Sequence, residues 1–230
     1  MSAYAIADLH GRYDLWRLVL DSINPEDLLI FLGDAIDRTD LGILIIDELR
    51  KRPNTVYLKG NHEQLMEMAL PGIIECRNDE LKFEIAKRLD TDIKCWFKNG
   101  GDVTWATLTH KTDKELNDYI QFCKNLPITY TYVNTKGQTI ICNHCGFTPN
   151  VSYEVMWSRA HFEDDWPLGY ENTYIVHGHT PKQLMNYYEA GSYRYANGHK
   201  IDLDTYALGT DELVLLNLDT LEEKIIINKI

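Results

Sequence analysis

Positive charge is scarce in this chain. Among 230 residues, 23 lysines and arginines stand against 35 aspartates and glutamates, which gives a formal net charge of −12. A surface this acidic repels polyanions, so binding to nucleic acid or to an anionic membrane surface is disfavoured. A local basic pocket for one phosphate group is still compatible with this charge balance.

Long apolar runs are also lacking. No stretch reaches the roughly 18 apolar residues that a membrane-spanning helix requires. Asp8 and His10 fall where a signal peptide would need an uninterrupted apolar core. The five cysteines are odd in number and mostly isolated, which is typical of reduced thiols and not of a disulfide framework. We therefore expect a cytoplasmic protein with no membrane partner.

Two of the cysteines, Cys142 and Cys145, have the CxxC spacing of some redox motifs. A redox pair normally opens a helix after a strand. Here the pair follows an apolar run, ends a predicted strand and encloses His144. We interpret these cysteines as ordinary thiols flanking a histidine.

Apolar runs and amphipathic segments alternate in the first third of the chain. Short runs at 4–7, 28–32 and 55–58 predict strands, and apolar residues at helical spacing predict helices at 12–23 and 41–49. This alternation predicts a parallel sheet with right-handed crossovers. Ligands of such sheets bind beyond the carboxyl ends of the strands.

The remainder is predicted to be helical and then extended. Helices are expected from Asn61 to about Cys123, with Asp113 as an N-cap, and the part at about 75–125 is interpreted as a helical cap that shapes a substrate groove. After Pro127 the period changes to two, which predicts an antiparallel half. We therefore expect a single α/β domain over 1–230, built of two packed sheets with helices outside.

Polar side chains follow five of the predicted strands at the points where they end. The segments are Asp8-Leu9-His10-Gly11, Gly33-Asp34-Ala35-Ile36-Asp37-Arg38 and Gly60-Asn61-His62-Glu63, followed later by His144 and His179. Charges are rarely left at a buried strand end unless they are paired or bound to a metal. Any one of these residues alone would more often be structural, but their repetition at strand ends favours one shared site.

The donors in these segments are carboxylate, imidazole and amide groups, which suit Mn, Fe or Zn. Asp8 and His10 share one face of an extended chain. Asp34 lies in the middle of the set and is the predicted bridge between two ions about 3.5–4 Å apart, which would activate a water and stabilise phosphate oxygens. The predicted ligands are Asp8, His10, Asp34, Asn61, His144 and His179.

Other residues supply what phosphoryl transfer also needs. Arg38 and Arg159 are predicted to bind phosphate oxygens, with Asn61 beside them. Asp37 is predicted to orient His62 and raise its pKa, so that His62 protonates the leaving oxygen. The role of His177 is left open between a supporting partner of His179 and a core residue.

Taken together, these motifs resemble the GDxHG, GDxxDRG and GNHE signatures of the calcineurin-like metallophosphoesterases. More narrowly, they are similar to the PPP-type serine/threonine phosphatases, in particular their small bacterial and phage members. His144, Trp157-Ser158-Arg159 and Gly178-His179-Thr180-Pro181 match the later elements of that family in order. The resemblance extends from Asp8 to about Leu208. The chain departs from the pattern at Ala7 and Thr39, where the family has glycine.

The resemblance implies a four-layer αββα fold and two divalent ions of the manganese type, with Fe and Zn as alternatives. It implies that Asp8, His10 and Asp34 hold the first ion, and that Asp34, Asn61, His144 and His179 hold the second. It also implies that Arg38 and Arg159 bind phosphate, and that His62 and Asp37 form an acid pair in which His62 is the proton donor.

The expected function is hydrolysis of phosphate monoesters by direct in-line attack of a metal-bridging hydroxide, on phosphoserine or phosphothreonine in proteins, with phosphotyrosine as a further substrate. The same motifs occur in diadenosine tetraphosphate hydrolases and in nucleic-acid-end phosphatases, which are the alternatives. A third hypothesis is a non-catalytic phosphate-binding module. Such a module would be expected to have lost some of the metal ligands, all of which this sequence keeps.

Overall fold

The first third of the chain forms the predicted β-α-β-α-β unit. The computed structural model describes residues 1–146, 156–159 and 170–228. Strands β1 and β2 pair in parallel, as do β2 and β3, which confirms the parallel arrangement. The elements are β1 (Ala3–Ile6), α1 (Tyr13–Leu20), β2 (Leu28–Phe31), α2 (Gly42–Leu49) and β3 (Thr55–Tyr57).

Two strands from the end of the chain complete this first sheet. Strand β9 (Glu212–Asn217) pairs antiparallel with β1, and β10 (Glu223–Ile227) pairs antiparallel with β9. The strand order is β10-β9-β1-β2-β3. The carboxyl ends of β1, β2 and β3 therefore lie at one edge, where the sequence motifs begin.

The second sheet is mixed, and the prediction of an antiparallel second half was wrong for three of its strands. Its order is β4-β5-β6-β8-β7, in which β5, β6 and β8 run parallel to one another. The chain between β5 and β6 is long enough for a crossover, which parallel strands require. The strands are β4 (Thr129–Val133), β5 (Thr139–Asn143), β6 (Thr173–His177), β7 (Tyr193–Tyr195) and β8 (Lys200–Asp202).

A helical region lies between β3 and β4 in sequence. It comprises α3 (Asn61–Cys76), α4 (Glu80–Leu89), α5 (Thr91–Trp96), a π-helical turn (Phe97–Gly101), α6 (Asp102–Leu108) and α7 (Asp113–Asn125). The N-cap of α7 is Thr112 and not Asp113, because the Thr112 hydroxyl accepts a hydrogen bond from the backbone of Glu115. A last short helix, α8 (Ala207–Thr210), precedes β9.

Alternating side chains of the first sheet serve two apolar cores. Ile6 and Phe31 point to a core shared with the helices, whereas Ala5 and Ile30 point to a core shared with Val176 of the second sheet. The architecture is thus two packed mixed sheets of five strands with flanking helices, which confirms the predicted fold class. Within the described ranges, no helix combines the length and apolar character needed to cross a bilayer.

Candidate metal and phosphate site

Strand ends from both sheets meet at one cleft with a volume of about 240 Å³. Seven of the ten predicted site residues line this cleft. The other three, Asp8, Asp37 and His144, lie directly behind its walls and contact residues that line it. The structure therefore brings all ten predicted site residues together. The seven that line the cleft are His10, Asp34, Arg38, Asn61, His62, Arg159 and His179.

The backbone at the site is held in a strained conformation. Residues with a Cβ atom rarely adopt positive φ angles, and such strain is concentrated at functional sites. Here the surrounding strands and helices fix the loops in this form, so each side chain leaves the backbone in a set direction. The site residues with positive φ are Asp8 (52°), His10 (44°), Asp34 (62°), Asp37 (72°), Arg38 (71°) and His179 (72°).

Asp34 lies at the centre of the cluster. Its Oδ2 atom lies 3.7 Å from His10 Nε2, 3.8 Å from His62 Nε2 and 3.4 Å from His144 Nε2. Burial alone would raise the pKa of Asp34, but the rings of His144 and His62 outweigh burial and hold the pKa well below its usual range. The Asp34 carboxylate is therefore ionised, in the position predicted for a ligand shared by two ions.

Hydrogen-bond acceptors face one another around Asp34. Nδ1 of His10 lies 2.8 Å from the Ile36 carbonyl, and Nδ1 of His144 lies 2.8 Å from the Leu32 carbonyl. Carbonyls only accept, so both Nδ1 atoms carry the proton, and Nε2 of each ring is the nitrogen that faces the Asp34 carboxylate. When these rings are neutral, their Nε2 lone pairs converge with the carboxylate oxygens on the same space, an arrangement that a cation would stabilise. The donor set therefore fits divalent metal.

His179 adds a fourth imidazole to the cluster. Its Nδ1 lies 2.8 Å from Asn61 Oδ1, and its backbone N–H donates to the Asp8 carboxylate at 3.0 and 3.2 Å. Burial, together with the nearby ring of His144, lowers the pKa of His179 to about 3. The ring is consequently neutral at pH 7, as a metal ligand must be.

Two glycines make room for the central carboxylates. A Cβ atom at Gly178 would lie 1.9 Å from Asp8 Oδ2, and one at Gly60 would lie 2.1 Å from Asp34 Oδ1. Neither distance is sterically allowed, so only glycine permits the backbone to approach the carboxylates this closely.

The predicted acid pair is formed. His62 Nδ1 lies 2.7 Å from Asp37 Oδ2, and Arg38 Nη2 lies 3.3 Å from His62 Nε2. Burial opposes protonation of His62, but Asp34 and Asp37 outweigh it and raise the pKa of the ring. Arg38 and Arg159 both line the cleft with exposed side chains, so their guanidinium groups are open to an anion.

The helical region holds this pair in place, which the sequence did not reveal. Trp96 Nε1 donates to Asp37 Oδ2 at 3.0 Å, and the Thr104 hydroxyl donates to Asp37 Oδ1 at 2.7 Å. The carbonyl of Gly100 accepts the backbone N–H of Arg38 at 3.1 Å. These partners are about sixty residues from Asp37, and no local pattern marks them. The region was predicted as a cap, and its contacts with the Asp37–Arg38 loop were not foreseen.

Glu63 supports the Asp34 loop from below. Its buried carboxylate accepts the backbone N–H groups of Asp34, Ala35 and Gly60 at 2.8–2.9 Å, and the Tyr57 hydroxyl at 2.8 Å. Four donors compensate for burial of the charge. Glu63 was part of a recognised motif, but its role as an anchor for the loop could not be read from the motif.

Asp204 also lines the cleft and was missed. It follows β8, whose carboxyl end lies at the same edge as those of β5 and β6 because the three strands are parallel. Burial raises the pKa of Asp204 to about 6. The sequence Asp202-Leu203-Asp204 after a strand repeats the spacing of Asp8 and His10, a signal that the prediction of antiparallel strands concealed.

The structure also accounts for His177 and Thr39. His177 is fully buried, contacts Tyr195 Oη at 2.9 Å through Nε2, and lies 3.0 Å from the Gly178 carbonyl, so it supports the loop that carries His179.

At Thr39, where the resembled family has glycine, the hydroxyl donates to the His10 carbonyl at 2.7 Å. The substitution thus ties two motif loops together.

Comparison with known proteins supplies the family. A model of the calcineurin-like phosphoesterases matches residues 1–202. The chain belongs to the calcineurin-like phosphoesterases. Members of this family are hydrolases that act on phosphoesters with a divalent metal centre, and the His and Asp groups described above could hold such a centre.

A relative in Caenorhabditis elegans is provisionally named a serine/threonine-protein phosphatase. It is 37% identical over 65 residues, which cover 25% of this chain and 18% of that protein. The match thus spans less than a fifth of the relative's length.

Solved structures share the fold at low identity. A protein provisionally named a diadenosine tetraphosphatase has a TM-score of 0.61 at 12% identity, with 97% of this chain and 92% of the other covered. A serine/threonine phosphatase from Saccharomyces cerevisiae has a TM-score of 0.53 at 11% identity, with coverage of 100% and 81%. A cold-active protein-tyrosine phosphatase of Shewanella has a TM-score of 0.53 at 15% identity, with coverage of 97% and 80%. These likenesses establish the fold.

Proposed function

We propose that this calcineurin-like phosphoesterase is a metal-dependent phosphatase that hydrolyses phosphate monoesters on protein side chains. One observation carries the proposal: the Asp34 carboxylate is surrounded by three imidazoles at 3.4–3.8 Å, beside two exposed arginines in one cleft. The imidazoles of His10 and His144 suit a metal, that of His62 suits a proton donor, and the guanidinium groups suit the oxygens of a phosphate.

The donor set divides into two overlapping groups. In the proposal, one ion is held by Asp8, His10 and Asp34, and a second by Asp34, Asn61, His144 and His179. We propose manganese as the ion, with Fe and Zn as alternatives. A bound pair of divalent ions supplies positive charge to phosphate oxygens and lowers the pKa of water.

The remaining residues position the ester and supply a proton. Arg38 and Arg159, with Asn61, bind the non-bridging oxygens in the proposal. His62 protonates the leaving oxygen, and Asp37 fixes the ring through Nδ1. Water attacks phosphorus in line, and no phospho-enzyme forms. Positioning and electrostatic stabilisation account for most of the rate enhancement.

The proposed substrates are phosphoserine and phosphothreonine, with phosphotyrosine as a further substrate. A cleft of about 240 Å³ suits one phosphorylated side chain. A dinucleoside polyphosphate carries two nucleosides and would extend well outside it, and the net charge of −12 disfavours nucleic-acid ends. Hydrolysis of diadenosine tetraphosphate remains the second candidate.

The same proposal includes the domain organisation. We treat 1–230 as one catalytic domain in which the helical segment at about 75–125 is an insertion. Its proposed role is to fix the Asp37–Arg38 loop through Trp96 and Thr104. The five cysteines are unpaired, which supports the proposed cytoplasmic setting.

A substrate panel tests this proposal. Purified protein is assayed with Mn, Mg, Zn and Fe on phosphoserine, phosphothreonine and phosphotyrosine peptides and on diadenosine tetraphosphate. We expect metal-dependent turnover of the peptides to exceed that of the dinucleotide. Preferential cleavage of the dinucleotide would replace the proposed substrate class, and phosphate binding without turnover of any compound would indicate a non-catalytic module.

A further inference from the structure

The cleft has an apolar side that the proposed mechanism does not use. Among the described residues that line it, Trp157, Pro181 and Leu184 are apolar. The side chains of Trp157 and Leu184 are open to solvent, with exposed fractions of 40% and 60%. Large apolar side chains that stand exposed beside a polar cleft are typical of ligand-binding surfaces. This side is therefore a candidate for contact with the organic part of a substrate.

Trp157 lies next to the proposed proton donor. Its ring centroid is 6.4 Å from that of His62, with 34° between the planes, and 6.4 Å from that of His179, with 89° between the planes. Its backbone contacts the ring of His179, which ties the residue to this side of the cleft. The sequence analysis placed Trp157 and Arg159 in one motif, but only Arg159 has a part in the proposed mechanism.

Leu184 is held in the cleft wall by an anchored turn. It belongs to a 3₁₀ turn, Lys182–Met185. Lys182 is almost fully buried, and its Nζ atom donates to the Gly191 carbonyl at 2.6 Å and to Glu212 Oε1 at 2.9 Å. These bonds fix the turn, so the exposure of Leu184 is a property of the folded loop. An apolar contact is thus in place before a substrate binds.

The position of the indole indicates which part of a substrate it would contact. In the proposed mechanism His62 protonates the leaving oxygen, so the carbon atoms bonded to that oxygen lie beside His62 and close to Trp157. Serine and threonine place an aliphatic carbon there, whereas tyrosine places a phenyl ring. Two aromatic rings gain free energy from stacked or edge-to-face contact, in addition to the burial of apolar surface. The apolar side therefore favours an aryl leaving group.

We propose that Trp157, supported by Leu184, is a specificity-determining residue that binds the phenyl ring of phosphotyrosine and thereby makes aryl phosphates efficient substrates. The inference rests on the phosphatase activity of the proposed function. It assigns the residues that admit phosphotyrosine, whereas the phosphate group itself stays with Arg38 and Arg159.

Kinetics on single amino-acid esters test this contact without the flanking residues of a peptide. The Mn²⁺-loaded enzyme is assayed on the N-acetyl amides of phosphotyrosine and phosphoserine, and the ratio of their kcat/KM values is compared among variants. Trp157→Ala is expected to lower kcat/KM for the tyrosine ester about tenfold, mainly through KM, and to change that for the serine ester by about twofold or less. Trp157→Phe keeps an aromatic ring and should retain most of the activity on the tyrosine ester.

Two further variants complete the series. Leu184→Ala is expected to lower kcat/KM for the tyrosine ester about threefold, because it removes apolar contact area without an aromatic ring. Tyr188→Ala is the matched control, since Tyr188 is an aromatic residue with an exposed fraction of 74% outside the described lining of the cleft. This control should change neither ester. Far-ultraviolet circular dichroism verifies that all variants are folded.

Binding of inert analogues provides a measurement that does not depend on turnover. Benzylphosphonate and ethylphosphonate carry an aryl and an alkyl group on a phosphonate that is not hydrolysed. In isothermal titration calorimetry, Trp157→Ala should weaken binding of benzylphosphonate about tenfold and leave that of ethylphosphonate nearly unchanged.

The outcomes separate this inference from the proposed function. Equal losses for the aryl and alkyl compounds, or no loss for either, would overturn the contact with the phenyl ring and leave the phosphatase activity standing. Wild-type protein that neither hydrolyses the esters nor binds the phosphonates with Mn, Mg, Zn or Fe would overturn the proposed function together with this inference.

Discussion

The two sheets contribute different chemistry to the same cleft. The edge of the first sheet carries the oxygen donors Asp8, Asp34 and Asn61 together with one imidazole, His10, whereas the predicted donors at the edge of the second are the imidazoles of His144 and His179. Short contacts run between the sheets, since Asn61 Oδ1 lies 2.8 Å from His179 Nδ1 and Asp34 Oδ2 lies 3.4 Å from His144 Nε2. Each edge alone holds only part of the proposed ligand set, so packing of the sheets against each other brings that set together.

Asp34 contacts histidines from both sheets, so its replacement is expected to have the largest effect. Asp34→Asn is expected to lower kcat/KM for p-nitrophenyl phosphate by about 10²–10³-fold or more, because both proposed ion positions lose charge. Circular dichroism should show the fold retained. The matched control is Asp40→Asn, an exposed neighbour outside the cleft lining. Undiminished turnover in Asp34→Asn would refute the bridging role.

The proposed acid pair, His62 and Asp37, lies at the edge of the first sheet, and the effect of its loss should depend on the leaving group. His62→Asn is expected to slow hydrolysis of a phosphoserine peptide by about 10²-fold or more. The loss for p-nitrophenyl phosphate should be clearly smaller, since nitrophenolate leaves without a proton. Comparison of kcat for the two substrates measures this difference, and equal losses would contradict a proton-donor role.

Within the described ranges, the helical region supports the first-sheet edge through the Asp37–Arg38 loop, so its variants test the contribution of that edge. Trp96→Phe removes the indole N–H that donates to Asp37 and is expected to lower kcat about tenfold, with little change in KM. Trp105→Phe is the control, because this tryptophan lies in the same core and is not among the described donors to Asp37. A similar kcat for both variants would indicate that Trp96 serves packing alone.

Buried carboxyls at both edges predict how metal stabilisation varies with pH. Burial and neighbouring carboxylates raise the pKa of Asp8, and burial raises that of Asp204 to about 6. Above these pKa values both groups are ionised, and the metal-free fold is destabilised by the buried charge; below them the charge is removed by protonation.

The metal-free protein should therefore lose stability as pH rises through about 6. Added Mn²⁺ should raise Tm more near pH 8 than near pH 5, because a cation offsets the ionised carboxylates and a proton competes with it. Thermal scans with and without Mn²⁺ measure both trends. An equal gain in Tm at the two pH values would exclude these carboxyls as the cause.

The edge of the first sheet could be predicted from sequence because its information is local. A β-α-β-α-β period fixes parallel pairing, and Asp8, Asp34 and Asn61 then share one edge. At the second edge, the positions of His144 and His179 after predicted strands marked them as candidates, and only their assignment to the second ion came from resemblance to a family. Strand periodicity does not distinguish parallel from antiparallel pairing, so Asp204 was lost with the wrong pairing of β5, β6 and β8.

The long-range contacts that hold Asp37 and the Asp34 loop could not be predicted from the sequence, for a different reason. Trp96 and Thr104 hydrogen-bond to Asp37, from which they are separated by 59 and 67 residues. A tryptophan or threonine at helical spacing has the same sequence pattern as any other core residue. The role of Glu63 as an anchor could not be predicted either, because its partners are backbone N–H groups, which every residue type except proline has.

The number of ions bound per chain distinguishes a metal centre shared between the two sheets from a smaller site on one of them. Protein stripped with chelator and reloaded with Mn²⁺ is freed of excess metal and analysed by inductively coupled plasma mass spectrometry. We predict about two ions per wild-type chain, about one in His179→Asn, which removes a second-sheet donor, and fewer than one in Asp34→Asn. Wild-type protein without metal at saturating Mn²⁺, or two ions retained in Asp34→Asn, would contradict a centre shared between the two sheets.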